Sequence, residues 1–203
     1  MEIVTLRVGV LQTNCYVVIN GDQACVIDPG GDAADILATL ASRALKLKQI
    51  VLTHGHADHV ADAMVVQRST HADIIIHAAD VSYLHAVNDQ MAAYLGLNEF
   101  IEPQGSLQGG EEIELAGIAF TVLSTPGHTP GSCCLYNASA GVLFAGDTLF
   151  ASSIGRSDLA GGDPAALAVS LNRLKELPDE TKVYPGHGPS TTIARERVRN
   201  RYW

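Results

Sequence analysis

Three histidines and an aspartate fall within six positions of the segment Thr53-His54-Gly55-His56-Ala57-Asp58-His59. Imidazole and carboxylate are ordinary zinc ligands, and a catalytic zinc takes three protein ligands and keeps one position open for water. An apolar run, Gln49-Ile50-Val51-Leu52, precedes the segment. It is short, β-branched and bounded by polar residues, which predicts a buried strand. The histidines then occupy the turn at that strand's C-terminal end. Alternate residues of such a turn can point the same way, so His54 and His56 can share one ion, and Gly55 lets the backbone bend without a Cβ clash. Asp58 and His59 open a predicted helix running to Val66. They leave the turn in another direction and suit a second ion.

Two ions need more ligands, and three further candidates stand in turns at strand ends. His128 lies in Thr125-Pro126-Gly127-His128-Thr129-Pro130-Gly131-Ser132. Pro-Gly on both sides holds it in a rigid turn, which suits a ligand. Asp147 follows a predicted strand, Val142 to Ala145, in Gly146-Asp147-Thr148-Leu149-Phe150. His187 follows the short strand Thr181 to Tyr184, in Pro185-Gly186-His187-Gly188-Pro189. Together with the first cluster these seven side chains suffice for two ions if one carboxylate bridges them. Asp28, at another strand end, reads either as a partner that orients a ligand or as a turn-former bonding its own backbone. His71, His77 and His85 lie outside any ligand-like cluster and read as surface or core residues.

The elements that must position these residues follow from pattern. Met1 to Val10 alternates weakly, Thr13 to Ile19 is β-rich, and Asn20-Gly21 signals a tight hairpin before Gln23 to Ile27. After Asp28-Pro29-Gly30-Gly31, Asp32 is the expected N-cap of a helix Ala33 to Leu40. Asp73 to His77 reads as a strand. Residues 78–105 carry Tyr83, Met91, Tyr94, Leu95, Leu97 and Phe100, as a lid over the site or as packing against the core. Strands are expected at Glu111 to Leu115, Ile118 to Leu123 and Ser132 to Tyr136. A helix opens at Pro164, runs from Ala165 to Leu177 and stops at Pro178. Ser190 is the expected cap of a last helix ending at Arg199. The tail arginines Arg195, Arg197, Arg199 and Arg201 read as a solvated helix end favoured by its dipole, or as further cations for an anionic substrate.

Composition bounds the function classes. The chain has 203 residues, 47% of them hydrophobic and 17% charged, enough for one sizeable core and one expected domain over 1–203. A net charge of -9 argues against a nucleic-acid surface, which needs a basic face. No apolar run is long enough to span a bilayer, and Met1-Glu2-Ile3-Val4-Thr5 lacks the basic start and apolar block of a signal peptide. Cys15, Cys25, Cys133 and Cys134 show no metal or disulfide spacing. They read as small buried residues in a reducing cytoplasm, with Cys133 and Cys134 on opposite faces of one strand.

The ordered set His54-Gly55-His56-Ala57-Asp58-His59, His128, Asp147 and His187 resembles the metallo-β-lactamase superfamily over nearly the whole chain. Gly146-Asp147-Thr148-Leu149-Phe150 and Tyr184-Pro185-Gly186-His187-Gly188 look most like glyoxalase II, the hydroxyacylglutathione hydrolases. The segment Ser153 to Asp163 looks like the short bacterial members of that group. The resemblance implies an α+β fold, a four-layer αββα sandwich. It implies one ion on His54, His56 and His128, a second on Asp58, His59 and His187, and Asp147 as the bridge. It places Arg156 as a basic substrate contact. Glyoxalase II proper continues after its last ligand into a helical glutathione-binding domain, whereas only Gly188 to Trp203 follows His187 here, so that domain is not expected.

Chemistry follows from such a site. Zinc is the expected metal, and iron and manganese also accept these ligands. Water between two zinc ions has a pKa lowered towards ~7 and would serve as nucleophile, with Asp58 and Asp147 in the catalytic centre. Two divalent ions, two carboxylates and a hydroxide leave roughly +1, which favours a small anionic substrate. A thiolate, of parent pKa about 8.5, departs without prior protonation, which fits thioester hydrolysis, as of S-lactoylglutathione. The alternatives are a mononuclear iron persulfide dioxygenase of the same fold and a metal-dependent phosphodiesterase. No nucleic-acid or membrane partner is expected.

Overall fold

The first three strands run along the chain as a meander: β1 Glu2–Val8, β2 Thr13–Asn20 and β3 Gln23–Ile27. The computed structural model that shows them describes residues 1–85 and 89–203. The Asn20-Gly21 signal is borne out, since Asn20 pairs with Gln23 across a two-residue turn and Gly21 takes a φ of 61°. Helix α1, Ala33–Ser42, then leads to β4 Lys46–Leu52, which pairs parallel with β3. After the short helix α2 Ala57–Val60 and α3 Ala63–Thr70, β5 Asp73–His77 adds parallel to β4. A run of 3-10 turns, Ala78–His85, and a short helix, α4 Gln90–Tyr94, precede β6 Gly105–Leu107 on the sheet's edge.

The second half builds another sheet. Strands β7 Glu112–Leu115, β8 Ile118–Ser124, β9 Cys133–Asn137 and β10 Val142–Gly146 pair antiparallel in succession. A two-stranded ribbon, β11 Leu149–Phe150 and β12 Ser153–Ile154, follows. Helix α5, Pro164–Leu174, crosses to β13 Lys182–Pro185, which pairs parallel with β10, and β14 Thr191–Thr192 and α6 Ile193–Arg199 complete the second half. Each large sheet is six-stranded and mixed.

Side-chain alternation explains the layering. Along β2, Cys15, Val17 and Ile19 face the core beneath α1 and α3, while Tyr16 and Val18 face the other sheet. Along β10, Phe144 faces the inter-sheet core and Leu143 and Ala145 face the core beneath α5 and α6. Both faces of the inner strands are buried, which is why they read as continuous apolar runs rather than as alternating ones. The result is the expected α+β sandwich, with two sheets inside and helices outside. Cys133 and Cys134 do split between two cores. All four cysteines are free and buried, and burial holds their thiols above the usual range. No helix among the described residues is long and apolar enough to cross a membrane.

Three local expectations are corrected. The predicted helix from Asp58 to Val66 is broken at Ala61-Asp62, because Asp62 is tied to the Asp28-Gly31 turn. Its N–H donates to the Pro29 carbonyl (3.0 Å) and its carboxylate accepts the Ala33 N–H (2.7 Å). Asp32 does stand at the N-cap position of α1, but with that second bond Asp62 takes over the capping by side chain. Asp32 sits left-handed (φ 51°), and its carboxylate accepts the Gly9 N–H instead. Ser190 does not cap α6. Thr192 does, accepting the Arg195 N–H at 3.2 Å, because Thr191 and Thr192 are drawn into pairing with β13.

Candidate metal centre

All seven predicted ligands meet at one end of the sandwich, each at or just past a strand end. His54 and His56 lie in the turn after β4, Asp58 and His59 on α2, His128 before β9, Asp147 after β10 and His187 after β13. Two groups offer ligand atoms within 4.8 Å of one another: His54, His56 and His128, and Asp58, His59 and His187. Asp147 stands between them. Its Oδ1 is 3.4 Å from His59 Nε2, and its Oδ2 is 3.6 Å from both His128 Nε2 and His187 Nε2. A third grouping, Asp28 with His54 and His59, is geometrically possible. Asp28 is instead spent on protein hydrogen bonds, described next.

The hydrogen bonds behind the histidines set their tautomers. His128 Nδ1 is 2.7 Å from the Arg156 carbonyl oxygen. A carbonyl only accepts, so Nδ1 carries the proton and Nε2 faces the site with a lone pair. Thr53 Oγ1 donates to Asp28 Oδ2 at 2.7 Å, and His54 Nδ1 lies 3.1 Å from that same hydroxyl oxygen. Having spent its proton, the hydroxyl accepts from His54 Nδ1, which leaves His54 Nε2 free. Asp28 Oδ2 is also 2.9 Å from His59 Nδ1, and Oδ1 accepts the Thr53 N–H at 2.8 Å. Of the two readings of Asp28, the ligand-orienting one matches this geometry.

Electrostatics in the site are dominated by burial and by the neighbours. Burial, reinforced by the surrounding imidazoles, pushes His54 well below the usual histidine range. His56 is pushed down to about 4, by burial first and then by His128 and His59. Burial opposes the charged form of His59 as well, but Asp147, Asp58 and Asp28 outweigh it and raise that group. Partial burial disfavours the charged forms of Asp58 and Asp147, yet the adjacent histidines hold both below the usual carboxylate range.

The residues fit metal binding. Among the described residues, His54 Nε2 and Asp147 Oδ1 are buried without a hydrogen-bond partner, a costly state that a cation would relieve. His56 Nδ1 and His128 Nε2 converge to 2.9 Å, and His59 Nε2 and His187 Nε2 to 3.3 Å. Backbone approach is equally tight: a Cβ on Gly30 would overlap the Asp58 carbonyl, and one on Gly186 would overlap Asp147 Oδ1.

Several supporting residues carry no signal in sequence. Asp80, fully buried, accepts from the Gly55 N–H (2.9 Å), Thr129 Oγ1 (2.6 Å) and the Gly131 N–H (2.5 Å). It thereby locks the His54 turn to the His128 turn. Asn14 and Tyr16 of the first sheet donate to the Pro185 carbonyl and hold the His187 turn in place. Neither the spacing nor the local composition of these residues announces such long-range roles.

Other predicted residues fall as follows. Arg156 joins the site through its carbonyl, while its exposed guanidinium forms a two-pronged pair with Asp158, both bonds 2.7 Å. His71 ends α3, His77 lies near Ser124 Oγ (3.3 Å) and His85 is exposed, all outside the two ligand groups. Of the segment 78–105, residues 86–88 lie outside the described residues. Leu95 and Leu97 pack on the core, but Met91, Tyr94 and Phe100 are exposed, and the Tyr83 ring lies 5.7 Å from that of His56.

Residues 8–187 match the family described as "Metallo-beta-lactamase superfamily". An uncharacterized protein of Aquifex aeolicus (strain VF5) is 40% identical over 98% of this chain and 96% of its own length. The hydroxyacylglutathione hydrolase GloC of Haemophilus influenzae is 34% identical over 98% of this chain and 97% of its own. Among solved structures, the BLEG-1 B3 metallo-beta-lactamase superposes with a TM-score of 0.92, at 33% identity and 99% coverage of both chains. TTHA1623 in a di-iron-bound form gives 0.89, at 38% identity and 100% coverage of both. ETHE1 from Myxococcus xanthus gives 0.82, at 30% identity over 99% of this chain and 84% of that one. On the family match and these full-length likenesses, the chain belongs to the metallo-beta-lactamase superfamily.

Proposed function

We propose that the protein is a dinuclear metal-dependent hydrolase of a small anionic thioester such as S-lactoylglutathione. One observation carries this reading: the Asp147 carboxylate stands 3.4–3.6 Å from histidines of both ligand groups, with Oδ1 otherwise unpartnered. In this reading His54, His56 and His128 hold one ion, Asp58, His59 and His187 hold the other, and Asp147 is shared. Zinc, iron and manganese all accept such nitrogen and oxygen donors. When bound, two divalent ions would supply an acidified water and a Lewis acid for a carbonyl.

The chain's own contribution is positional. Asp28 and the Arg156 carbonyl hold His59 and His128 by Nδ1, so that Nε2 of each meets the site. Asp80 keeps the two histidine turns in register. Hydrolysis adds water's oxygen to the acyl carbon and breaks the C–S bond, giving a carboxylate, a thiol and one proton. A thiol leaving group, of parent pKa about 8.5, needs no separate acid, whereas an amine does. The nearby Tyr83 hydroxyl is already committed to the Ala160 carbonyl at 2.6 Å. That arrangement favours thioesters over amides, and the likeness to GloC supports the same choice. An anionic substrate would draw Arg156 away from Asp158, an exposed pair that solvent already weakens. A reducing cytoplasm suits the four unpaired thiols.

The test is elemental analysis of protein purified without added metal, followed by a substrate panel. The expected result is two metal ions per chain and turnover of S-lactoylglutathione. Because even outer-shell changes cost roughly 10–100-fold at metal sites, Asp147→Ala should lose at least about 100-fold. One iron per chain with oxygen uptake on a glutathione persulfide would replace this reading with a dioxygenase. Preference for a phosphodiester or a β-lactam in the same panel would overturn it as well.

A further inference from the structure

We infer that the acyl arm of the substrate is apolar and enters a cavity beside the His56 turn; this rests on the thioester reading above and narrows it. The cavity measures about 380 Å³ and is lined by His56, Asp58, Tyr83, Ala92, Leu95 and Leu97, so it is continuous with the candidate metal centre. Among the described residues no Lys or Arg lines it. Its polar side chains outside the ligand set are few, Tyr83 and Asp89. The Tyr83 hydroxyl donates to the Ala160 carbonyl, and the Asp89 carboxylate accepts the Ala92 N–H at 2.9 Å as the cap of α4. An anionic acyl group entering here would give up water and meet no cation, and a hydroxyl would find few partners on a mostly apolar lining, whereas an alkyl group loses nothing. At roughly 30 Å³ of liquid per water, the space equals about a dozen waters. It sits at the small end of ligand pockets, which suits one arm of a substrate rather than the whole.

The other arm has different surroundings. On the His187 side, a separate groove bordered by Gly188 carries Arg7 and Lys182. An anionic thiol carrier would find cations there, which would leave the apolar cavity to the acyl group. Lactoyl, short and hydroxylated, is then a poor fit compared with a plain alkyl chain.

The metal-loaded enzyme is assayed with S-acyl glutathiones from acetyl to octanoyl, with S-lactoylglutathione alongside S-propionylglutathione, from which it differs by one hydroxyl. The expected result is a kcat/KM that rises about fourfold per methylene until the cavity is filled, with propionyl preferred over lactoyl. Met91→Gln and Leu95→Gln, at an exposed and a half-buried position lining the cavity, should lower the octanoyl-to-acetyl ratio. Binding of 1-octanol by calorimetry, in the parent and in both variants, reads the cavity independently of turnover. Thioester hydrolysis with a flat chain-length series would overturn the apolar arm and leave the thioester reading standing. No thioester turnover, with octanol bound and weakened in the variants, would uphold an apolar site and remove the thioester reading. Neither turnover nor octanol binding would remove both.

Discussion

Asp28 shows how much one side chain can organise. It accepts from the Thr53 N–H, the Thr53 hydroxyl and His59 Nδ1, and its backbone is left-handed, with φ 54°. Asn adopts that conformation at less cost than Ala, although Ala44 and Ala116 of this chain also take it, so two substitutions separate the backbone role from the ligand-orienting role. Asp28→Asn should keep most of the fold's stability yet weaken metal binding about 10–100-fold, since an amide is a poorer partner for His59. Asp28→Ala should lose both. A chelator-competition titration set beside a denaturant curve for each variant distinguishes them, and equal metal affinity in Asp28→Asn and the parent would refute the orienting role.

Among the elements, the cap of α1 gives the sharpest expectation. Because Asp62 rather than Asp32 accepts the Ala33 N–H, Asp62→Ala should cost about 1 kcal/mol. For a chain of this size that is a fall in Tm of about 2–4 °C, and an unchanged melting curve would contradict it. Strands such as β4 and β10 were legible because β-branched runs bounded by polar turns leave few other options. The candidate ligands stand out because they cluster in such turns. Asp62 and Asp80 do not, since each acts on residues that only the folded topology brings near. The two-residue strands β11 and β12 were missed as well, being too short to show any period. The early end of α5 at Leu174, three residues before the expected Leu177, likewise leaves no mark in the sequence, where only Pro178 signals a stop.

Over the whole molecule, the candidate ligands come from both halves of the sandwich. His54, His56, Asp58 and His59 follow the first sheet's β4, while His128, Asp147 and His187 border strands of the second. Ions held this way bind the folded chain and not the unfolded one, so they stabilise it by mass action, by about 2.7 kcal/mol at a hundredfold excess over Kd. Exhaustive chelation should therefore lower Tm by about 5–10 °C, reversibly on adding metal back; calorimetry with and without chelator is the check. Neither of the two groups beside Asp147 is complete within the first half, because His128 completes one and His187 the other. During synthesis, then, an emerging chain can present the first four side chains long before a cation has anywhere adequate to settle. In the proposed site the first group waits for the His128 turn and the second for the His187 turn, which makes capture at the second group a marker that both halves have folded.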